Sequence, residues 1–349
     1  MKPVITVENG RSIGEGHPTY IIAEIGSNHD GSLERAKHLI LGAKEAGADA
    51  VKFQSFQVER LINPKWRPNG HWEPHKAWKT LEGLALPEEW HYELKAFSND
   101  LGIDFLSAPF DEERLQLLAK LNVPIIKVAS GDLTYHSFLK DIGRLGKPVI
   151  LSTGLAYLGE VETALTILEE SGCDQVALLH CVSLYPPKFE DSNIRAMVTM
   201  HNAFKIPTGY SDHTPGSTVP LGAVALGANI IEKHLTDNKS AFGPDHSYAL
   251  EVYEFREMVC QIRQLEAALG DGIKRPTLAE LPERVGARRA IYTREAIKEG
   301  SVLSNKMLKV VRHAYPEGVP ADKLDYLEGK LVTRDIEADT LLTWETISQ

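Results

Sequence analysis

Short apolar runs in this chain end, one after another, in groups able to do polar chemistry: Glu24, Lys52, Lys127 with Ser130, Ser152, Ser183 with Tyr185, Ser211 with His213, and Glu232 with His234. A charge inside a buried strand is costly unless something pairs with it, so a series of them marks a polar site rather than a core. Lys52 and Lys127 supply two cations, and the hydroxyls of Ser130, Ser152 and Ser211 add donors. That set suits a ligand with phosphate at one end and carboxylate at the other. A lysine whose pKa is lowered by its neighbour could instead form a Schiff base, and both readings stay open on residue types alone. His213 and His234 come from neighbouring strands, and two neutral imidazoles so placed can hold a divalent metal with other positions left to water and substrate. Singly, each residue has a plainer explanation: a lone histidine as a structural hydrogen-bonder, a lone lysine as a solvated charge. Their recurrence at nearly every strand end favours a common site.

The elements that must position these groups alternate in type. Tyr20–Ile25 is an apolar run containing Glu24, a helix-period stretch follows over Leu33–Ala46 between Ser32 and Gly47, and Ala50–Phe53 carries Lys52. Strand, helix, strand in so few residues is a βαβ unit with parallel pairing. The alternation continues with strands expected at Ile103–Ser107, Pro124–Ala129, Pro148–Ser152, Gln175–Cys181, Thr208–Ser211 and Asn229–Glu232. Helices are expected at Glu112–Leu121, Ser137–Leu145, Glu160–Ser171, Asn193–Phe204, Thr218–Leu226 and Val252–Leu269. The count is that of a (β/α)8 TIM barrel, whose chemistry sits at the carboxyl ends of its strands. A doubly wound open sheet is the rival, but Gly-Ser-Asn-His-Asp-Gly after the first strand is no glycine-rich phosphate loop. Residues 3–19 read as a hairpin, Val4–Val7 and Arg11–Ile13 about a Glu-Asn-Gly turn, plugging one end. The expected domains are a barrel over 1–269, a linker over 270–283, and a small, mostly β domain over 284–349 with short pieces at Ala290–Thr293, Ser301–Leu303, Leu308–Val311, Lys330–Val332 and Thr340–Leu342.

Bulk properties narrow the function classes. At 349 residues, with 43% hydrophobic and 25% charged residues, the composition is that of an ordinary globular protein. A formal charge of −10 argues against a nucleic-acid or anionic-membrane partner, though not against a small anionic substrate held by local cations. No apolar run has the length of a membrane span or a secretion signal, and Cys173, Cys181 and Cys260 form neither a metal pattern nor an even disulfide set. The expected location is the cytoplasm.

Read as ordered motifs, Ile-Ile-Ala-Glu-Ile-Gly-Ser-Asn-His-Asp-Gly-Ser, Val-Lys-Phe-Gln, Ser-Ala-Pro-Phe-Asp, Lys-Val-Ala-Ser-Gly, Leu-Ser-Thr-Gly, Gly-Tyr-Ser-Asp-His-Thr, Ile-Glu-Lys-His-Leu and Gly-Pro-Asp-His resemble the sialic acid synthases. These are the N-acetylneuraminate, legionaminate and pseudaminate synthases, which condense phosphoenolpyruvate with an amino-sugar aldehyde. The likeness spans nearly the whole chain and includes a tail similar to their antifreeze-protein-like (SAF) domain. It implies a (β/α)8 barrel, a divalent cation (Mn²⁺, with Mg²⁺ or Co²⁺ as alternatives) and a domain-swapped homodimer. It places Lys52, Lys127, Ser130, Ser152, Ser183 and Ser211 around phosphoenolpyruvate and matches His213 and His234 to the metal ligands. Glu24, Tyr185, Glu232 and Asp245 match positions lining the sugar and the reacting centre, and Arg312 matches an arginine that the tail of one subunit inserts into its partner's barrel. In catalytic terms the resemblance assigns Glu24, Lys52, Lys127 and Glu232 to the reaction itself.

Two departures stand out. Position 183 is serine where many relatives carry asparagine, and the tail reads Arg312-His313-Ala314-Tyr315-Pro316-Glu317-Gly318, longer than the family's Arg-Pro-Gly turn. Gly-Pro-Asp-His is nearer the neuraminate and legionaminate branches. The resemblance thus implies a transferase acting on an N-acetylmannosamine-like sugar. A 2,4-diacetamido-trideoxyhexose (legionaminate or pseudaminate synthesis) is the alternative, with a pyruvate lyase using a Lys127 imine further off. A non-enzymatic reading, the tail as a carbohydrate- or ice-binding module, requires a regular threonine or apolar spacing that residues 284–349 lack.

Overall fold

The computed structural model describes residues 1–7, 10–68 and 70–348, in two compact units, Met1–Gly270 and Asp271–Gln349. The first unit is built on eight parallel strands: Tyr20–Glu24 (β1), Ala50–Ser55 (β2), Asp104–Pro109 (β3), Ile126–Val128 (β4), Val149–Ser152 (β5), Val176–Cys181 (β6), Thr208–Asp212 (β7) and Ile230–Thr236 (β8). Hydrogen bonding links them in the order β3-β2-β1-β8-β7-β6-β5-β4. β3 and β4 also lie side by side, so the sheet is a near-closed barrel, as expected from the strand count, and not an open doubly wound sheet.

Alternation along the strands explains how this barrel makes both a core and a site. One face of each strand, with Ile21, Val51, Phe105, Leu151, Leu178 and Ile231, packs against the surrounding helices in a single large apolar cluster. The other face points inward and changes character along its length. Near the amino-terminal end it carries Tyr20, Ile22, Ala50, Leu106, Ile150, Ala177, Leu179 and Ile230, which form a separate cluster with Ile5, Val7 and Ile13 of the hairpin Val4–Thr6/Ser12–Gly14. The hairpin thus fills that end of the barrel; of the Glu-Asn-Gly turn expected between its strands, at residues 8–10, residues 8 and 9 lie outside the described residues. Two residues further along each strand, the same inward parity brings Glu24 after Ile22, Lys52 after Ala50, Ser152 after Ile150, Cys181 after Leu179, and Glu232 then His234 after Ile230.

The connecting helices begin and end where their caps dictate. Leu33–Ala46 is started by Ser32, whose hydroxyl accepts from the Arg35 amide, and ends at Gly47. Glu112–Lys120 is capped in the same way by Asp111. The segment between β2 and β3 holds elements without a sequence expectation: Val58–Leu61, a two-residue hairpin of Lys65–Trp66 and Glu73–Pro74, and the helices Trp78–Leu84 and Glu88–Leu101.

The second unit contains an antiparallel pair, Arg289–Thr293 (β9) and Leu308–Arg312 (β10), over an apolar cluster that includes Ile291, Leu303, Val319, Leu327, Val332 and Leu342. The other pieces expected to be β make single bridges rather than ladders, such as Val302 with Leu331 and Tyr292 with Leu341.

Candidate active site

At the carboxyl end of the barrel lies a cavity of about 600 Å³. It is lined by Glu24, Lys52, Lys127, Ser130, Ser152, Ser183, Tyr185, Ser211, His213, Glu232, His234 and Asp245. Every site residue expected from the barrel sequence therefore faces one space. Arg312 belongs to the second unit, exposed at the end of β10 opposite Arg289.

The floor is a four-charge cluster. Lys52 Nζ lies 2.8 Å from Glu24 Oε2 and 3.7 Å from Glu232 Oε1, and Lys127 Nζ lies 3.9 Å from Glu232 Oε1. Gln54 donates to Glu24 Oε1 at 2.9 Å, and the Ser211 hydroxyl donates to Glu232 Oε1 at 2.9 Å. The two carboxylates are set apart by these partners. Burial, the largest influence on Glu24, raises its carboxyl above the ordinary range, with Lys52 opposing and Glu232 reinforcing. Burial acts on Glu232 too, but Lys127, Lys52 and Ser211 outweigh it and hold that carboxyl below the ordinary range. Environments that push paired carboxylates apart separate a proton carrier from a fixed charge. The lysines differ in the same manner: burial would lower Lys52, yet Glu232 and Glu24 raise it, whereas burial and Lys52 leave Lys127 lowered.

Beside Lys127 is a ring of hydroxyls. Its Nζ donates to Ser152 Oγ at 2.6 Å and to the Val128 carbonyl at 3.1 Å, while the Gly154 amide donates to Ser130 Oγ at 3.0 Å. Gly154 leaves room that a side chain would fill, since a Cβ there would lie 2.8 Å from Ser130 Oγ and closer still to Ser183 Oγ. Backbone N–H, serine hydroxyls and an ammonium around a space of this kind make an anion cradle.

On the opposite side, His213 and His234 stand with ring centroids 5.3 Å apart. Burial lowers both; His213, with His234 adding to the effect, falls to about 3, so both rings are neutral at physiological pH. His213 Nδ1–H donates to the Val182 carbonyl at 3.2 Å, which leaves its Nε2 lone pair available. His234 Nδ1 and Glu232 Oε2 are buried without a hydrogen-bond partner, and Asp245 Oδ2 is 3.9 Å from His234 Nδ1. Among the described residues no three His, Cys, Asp or Glu side chains form a metal-holding group, so the protein offers two fixed nitrogen donors. Neutral imidazoles with an orphaned buried nitrogen fit a borderline divalent cation whose other positions go to water and substrate.

Several groups that line the cavity or back its lining had no place in the sequence reading. Gln54 sits two residues beyond Lys52 on the same strand face, a spacing that would have found it. Ser27 and Tyr248 hold Asp245 from both sides, by hydrogen bonds of 2.7 and 2.6 Å, and the Tyr248 ring packs against His234 with centroids 5.1 Å apart. Phe56, Phe110, Leu81 and Leu84 form an apolar wall. Leu155, which lines the cavity, is 81% exposed, and two other large apolar side chains of the first unit, Tyr157 and Phe242, are 83% and 98% exposed.

Comparison with known proteins matches residues 39–274 to the NeuB family and residues 288–348 to the SAF domain. The chain is 39% identical to the N,N'-diacetyllegionaminic acid synthase of Legionella pneumophila over 96% of both chains. It is 34% identical to the human N-acetylneuraminate-9-phosphate synthase over 97% of this chain and 95% of that one. In structure it is similar to an N-acetylneuraminic acid (sialic acid) synthetase from Leptospira borgpetersenii crystallised with citrate, with a TM-score of 0.74 and 35% identity over 80% of this chain and 94% of the other.

Proposed function

Because the chain belongs to the NeuB family of carbon–carbon bond-forming synthases, we propose that it condenses phosphoenolpyruvate with an N-acetylated amino-hexose aldehyde, releasing phosphate and a nine-carbon nonulosonic acid. One observation carries this reading: an anion cradle, a pair of carboxylates with opposed proton affinities and a pair of neutral imidazoles share a single cavity. The sugar is an N-acetylmannosamine-like aldehyde or its 2,4-diacetamido-trideoxy counterpart; the identity to a legionaminic acid synthase favours testing the latter alongside the former.

In this reading Lys127, Ser130, Ser152, Ser183 and the Gly154 amide take the phosphate, with Lys52 and Ser211 completing the hold on the phosphoenolpyruvate anion. His213 and His234 would hold a divalent cation, Mn²⁺ as first choice, and such an ion polarises an aldehyde as a Lewis acid. Carbon C3 of phosphoenolpyruvate bonds to the aldehyde carbon, leaving positive charge at C2. Water adds to C2, one of its protons passing by way of Glu24 to the former aldehyde oxygen, which becomes a hydroxyl; the other leaves with phosphate as the C2–O bond breaks and C2 becomes a ketone. Glu232, held ionised by two lysines, faces the developing cation, while Glu24 with its raised proton affinity takes the proton of the incoming water. Lys52 and Lys127 balance the departing phosphate. Tyr185, against His213 with centroids 4.5 Å apart, and Asp245 line the sugar side.

The proposed assembly is a homodimer in which Arg312 of one subunit enters the partner's barrel, a role for which the exposed Leu155 at the cavity offers an apolar surface to cover. Among the described residues no helix is long and apolar enough to cross a membrane, and all three cysteines are free, which supports placing the enzyme in the cytoplasm.

The test offers N-acetylmannosamine and 2,4-diacetamido-trideoxymannose with phosphoenolpyruvate and Mn²⁺, measuring phosphate and ulosonic acid. Product with either sugar, lost on adding EDTA, is expected; no product across the panel overturns the proposal. The lowered Lys127 also suits imine formation with pyruvate. Borohydride trapping of pyruvate on Lys127, insensitive to EDTA, would select that chemistry instead.

A further inference from the structure

Behind the two imidazoles, hidden from both the cavity and solvent, lies an ion pair. Asp212 on β7 and Lys233 on β8 are directly opposite in register. Their neighbours Ser211, His213, Glu232 and His234 line the cavity, so alternation turns this pair to the other face of the sheet. Both side chains are 0% exposed, and Nζ lies 2.5 Å from Asp212 Oδ2. Lys233 Nζ also donates to the Thr214 carbonyl. Thr214 in turn donates through its amide and hydroxyl to Asp212, at 3.0 and 2.9 Å. A buried pair of this kind is no cheaper than two apolar side chains of similar bulk, so stability alone does not account for it.

Its place in the ladder says what it does. The two imidazoles are fixed by unequal means. His234 lies within β8 and is paired through the backbone with Glu24 of β1. His213 lies one residue past the last β7–β8 pair, which is Asp212 with Lys233 itself. Beyond that point the side chain of Lys233 ties the chain on either side of His213 to β8, because Nζ reaches the Asp212 carboxylate before it and the Thr214 carbonyl after it. We infer that Lys233, with Asp212, is the positioning residue that sets His213 against His234 and so fixes the spacing of the imidazole pair for a divalent cation. The inference rests on the metal assignment proposed above.

The test measures Mn²⁺ binding to metal-free protein by titration calorimetry, the visible spectrum of the Co²⁺ form, and phosphoenolpyruvate binding without metal. Lys233→Met alone leaves a buried unpaired carboxylate and is liable not to fold, so the informative protein is Asp212→Asn/Lys233→Met. It keeps the acceptor for Thr214 on β7, carries no buried charge, and cuts the tether to β8. A folded double variant should lose about 10- to 100-fold in Mn²⁺ affinity, the range for groups that orient metal-bound histidines. Its Co²⁺ spectrum should change, and its affinity for phosphoenolpyruvate should not. Unaltered Mn²⁺ affinity overturns the inference, as does an equal loss of phosphoenolpyruvate affinity, which would mark a general loosening of the barrel. If the unmutated protein binds no Mn²⁺, or His213→Ala binds it as tightly, the metal assignment itself falls and takes this inference with it.

Discussion

Replacing Gly154 by alanine tests the anion cradle without touching a charge. The added Cβ would lie 2.8 Å from Ser130 Oγ and closer to Ser183 Oγ, and both must turn away. Each is the tip of a side chain with a single heavy-atom torsion, so these two contacts are relieved by rotation at about 0.5–1.5 kcal/mol per displaced rotamer, while Ser130 Cβ, 3.2 Å away, has to give slightly. The melting temperature should fall by only a few degrees, since about 1 kcal/mol corresponds to roughly 2–4 °C in a domain of this order of size. The functional cost is larger. Two hydroxyls leave the position of a phosphate dianion, and a hydrogen bond to a charged group is worth about 1.5–3 kcal/mol. Losing two of them, about 3 kcal/mol at the lower end, corresponds to roughly 150-fold in affinity. Steady-state phosphate release should therefore show the KM for phosphoenolpyruvate rising by about two orders of magnitude, with the KM for the sugar unmoved. Ser130→Ala opens space for the methyl group, so the double variant should be less impaired than the sum of the two single changes. A phosphoenolpyruvate KM close to that of the unmutated enzyme, in a folded Gly154→Ala protein, would refute the cradle.

Three further outcomes are expected. Glu24→Gln removes the proton carrier but keeps its shape and should lower kcat by about 10²- to 10⁴-fold with phosphoenolpyruvate binding retained; a kcat near normal excludes Glu24 from proton transfer. Arg312→Ala should depress activity with both units folded, and mixing it with Glu24→Gln under conditions of subunit exchange should restore part of it; mixtures no better than their components argue against a shared site. Asp132 has a buried oxygen without a hydrogen-bond partner, and burial raises its carboxyl to about 6 against the pull of Lys127. A folded-state value above the unfolded one of about 3.9 means its contribution is full below that pH and lost as pH rises through 6. Asp132→Asn should therefore raise the melting temperature at pH 8 relative to the parent and do so much less near pH 4, and equal shifts at both would contradict this.

What could be read from the residues alone follows from where local pattern and tertiary structure agree. Most barrel strands are apolar on both faces until near the carboxyl end, so Glu24, Lys52, Lys127, Glu232 and His234 interrupt an otherwise apolar run and announce both the strand and the mouth it faces. The wall of the cavity gave no such notice. Helix Trp78–Leu84 is only seven residues long and buries none of them fully, so its apolar positions Trp78, Leu81 and Leu84 are too few to mark it out, although Leu81 and Leu84 face the site. Apart from the β9–β10 pair, the short pieces of the second unit have strand-like composition but meet their neighbours at single residues, and composition does not distinguish a bridge from a ladder. Ser27 and Tyr248 were invisible for another reason: they act on Asp245, not on a ligand, and their partner is set by the fold rather than by sequence spacing. The same holds for the Gly154 cradle and for Asp212 with Lys233. Each depends on what one strand places beside another, as when the missing side chain at 154 makes room for serines at 130 and 183. Chemistry that resides in one residue type at one strand end is legible in a single chain. Chemistry that resides in the gap between two strands becomes legible only when their register is known.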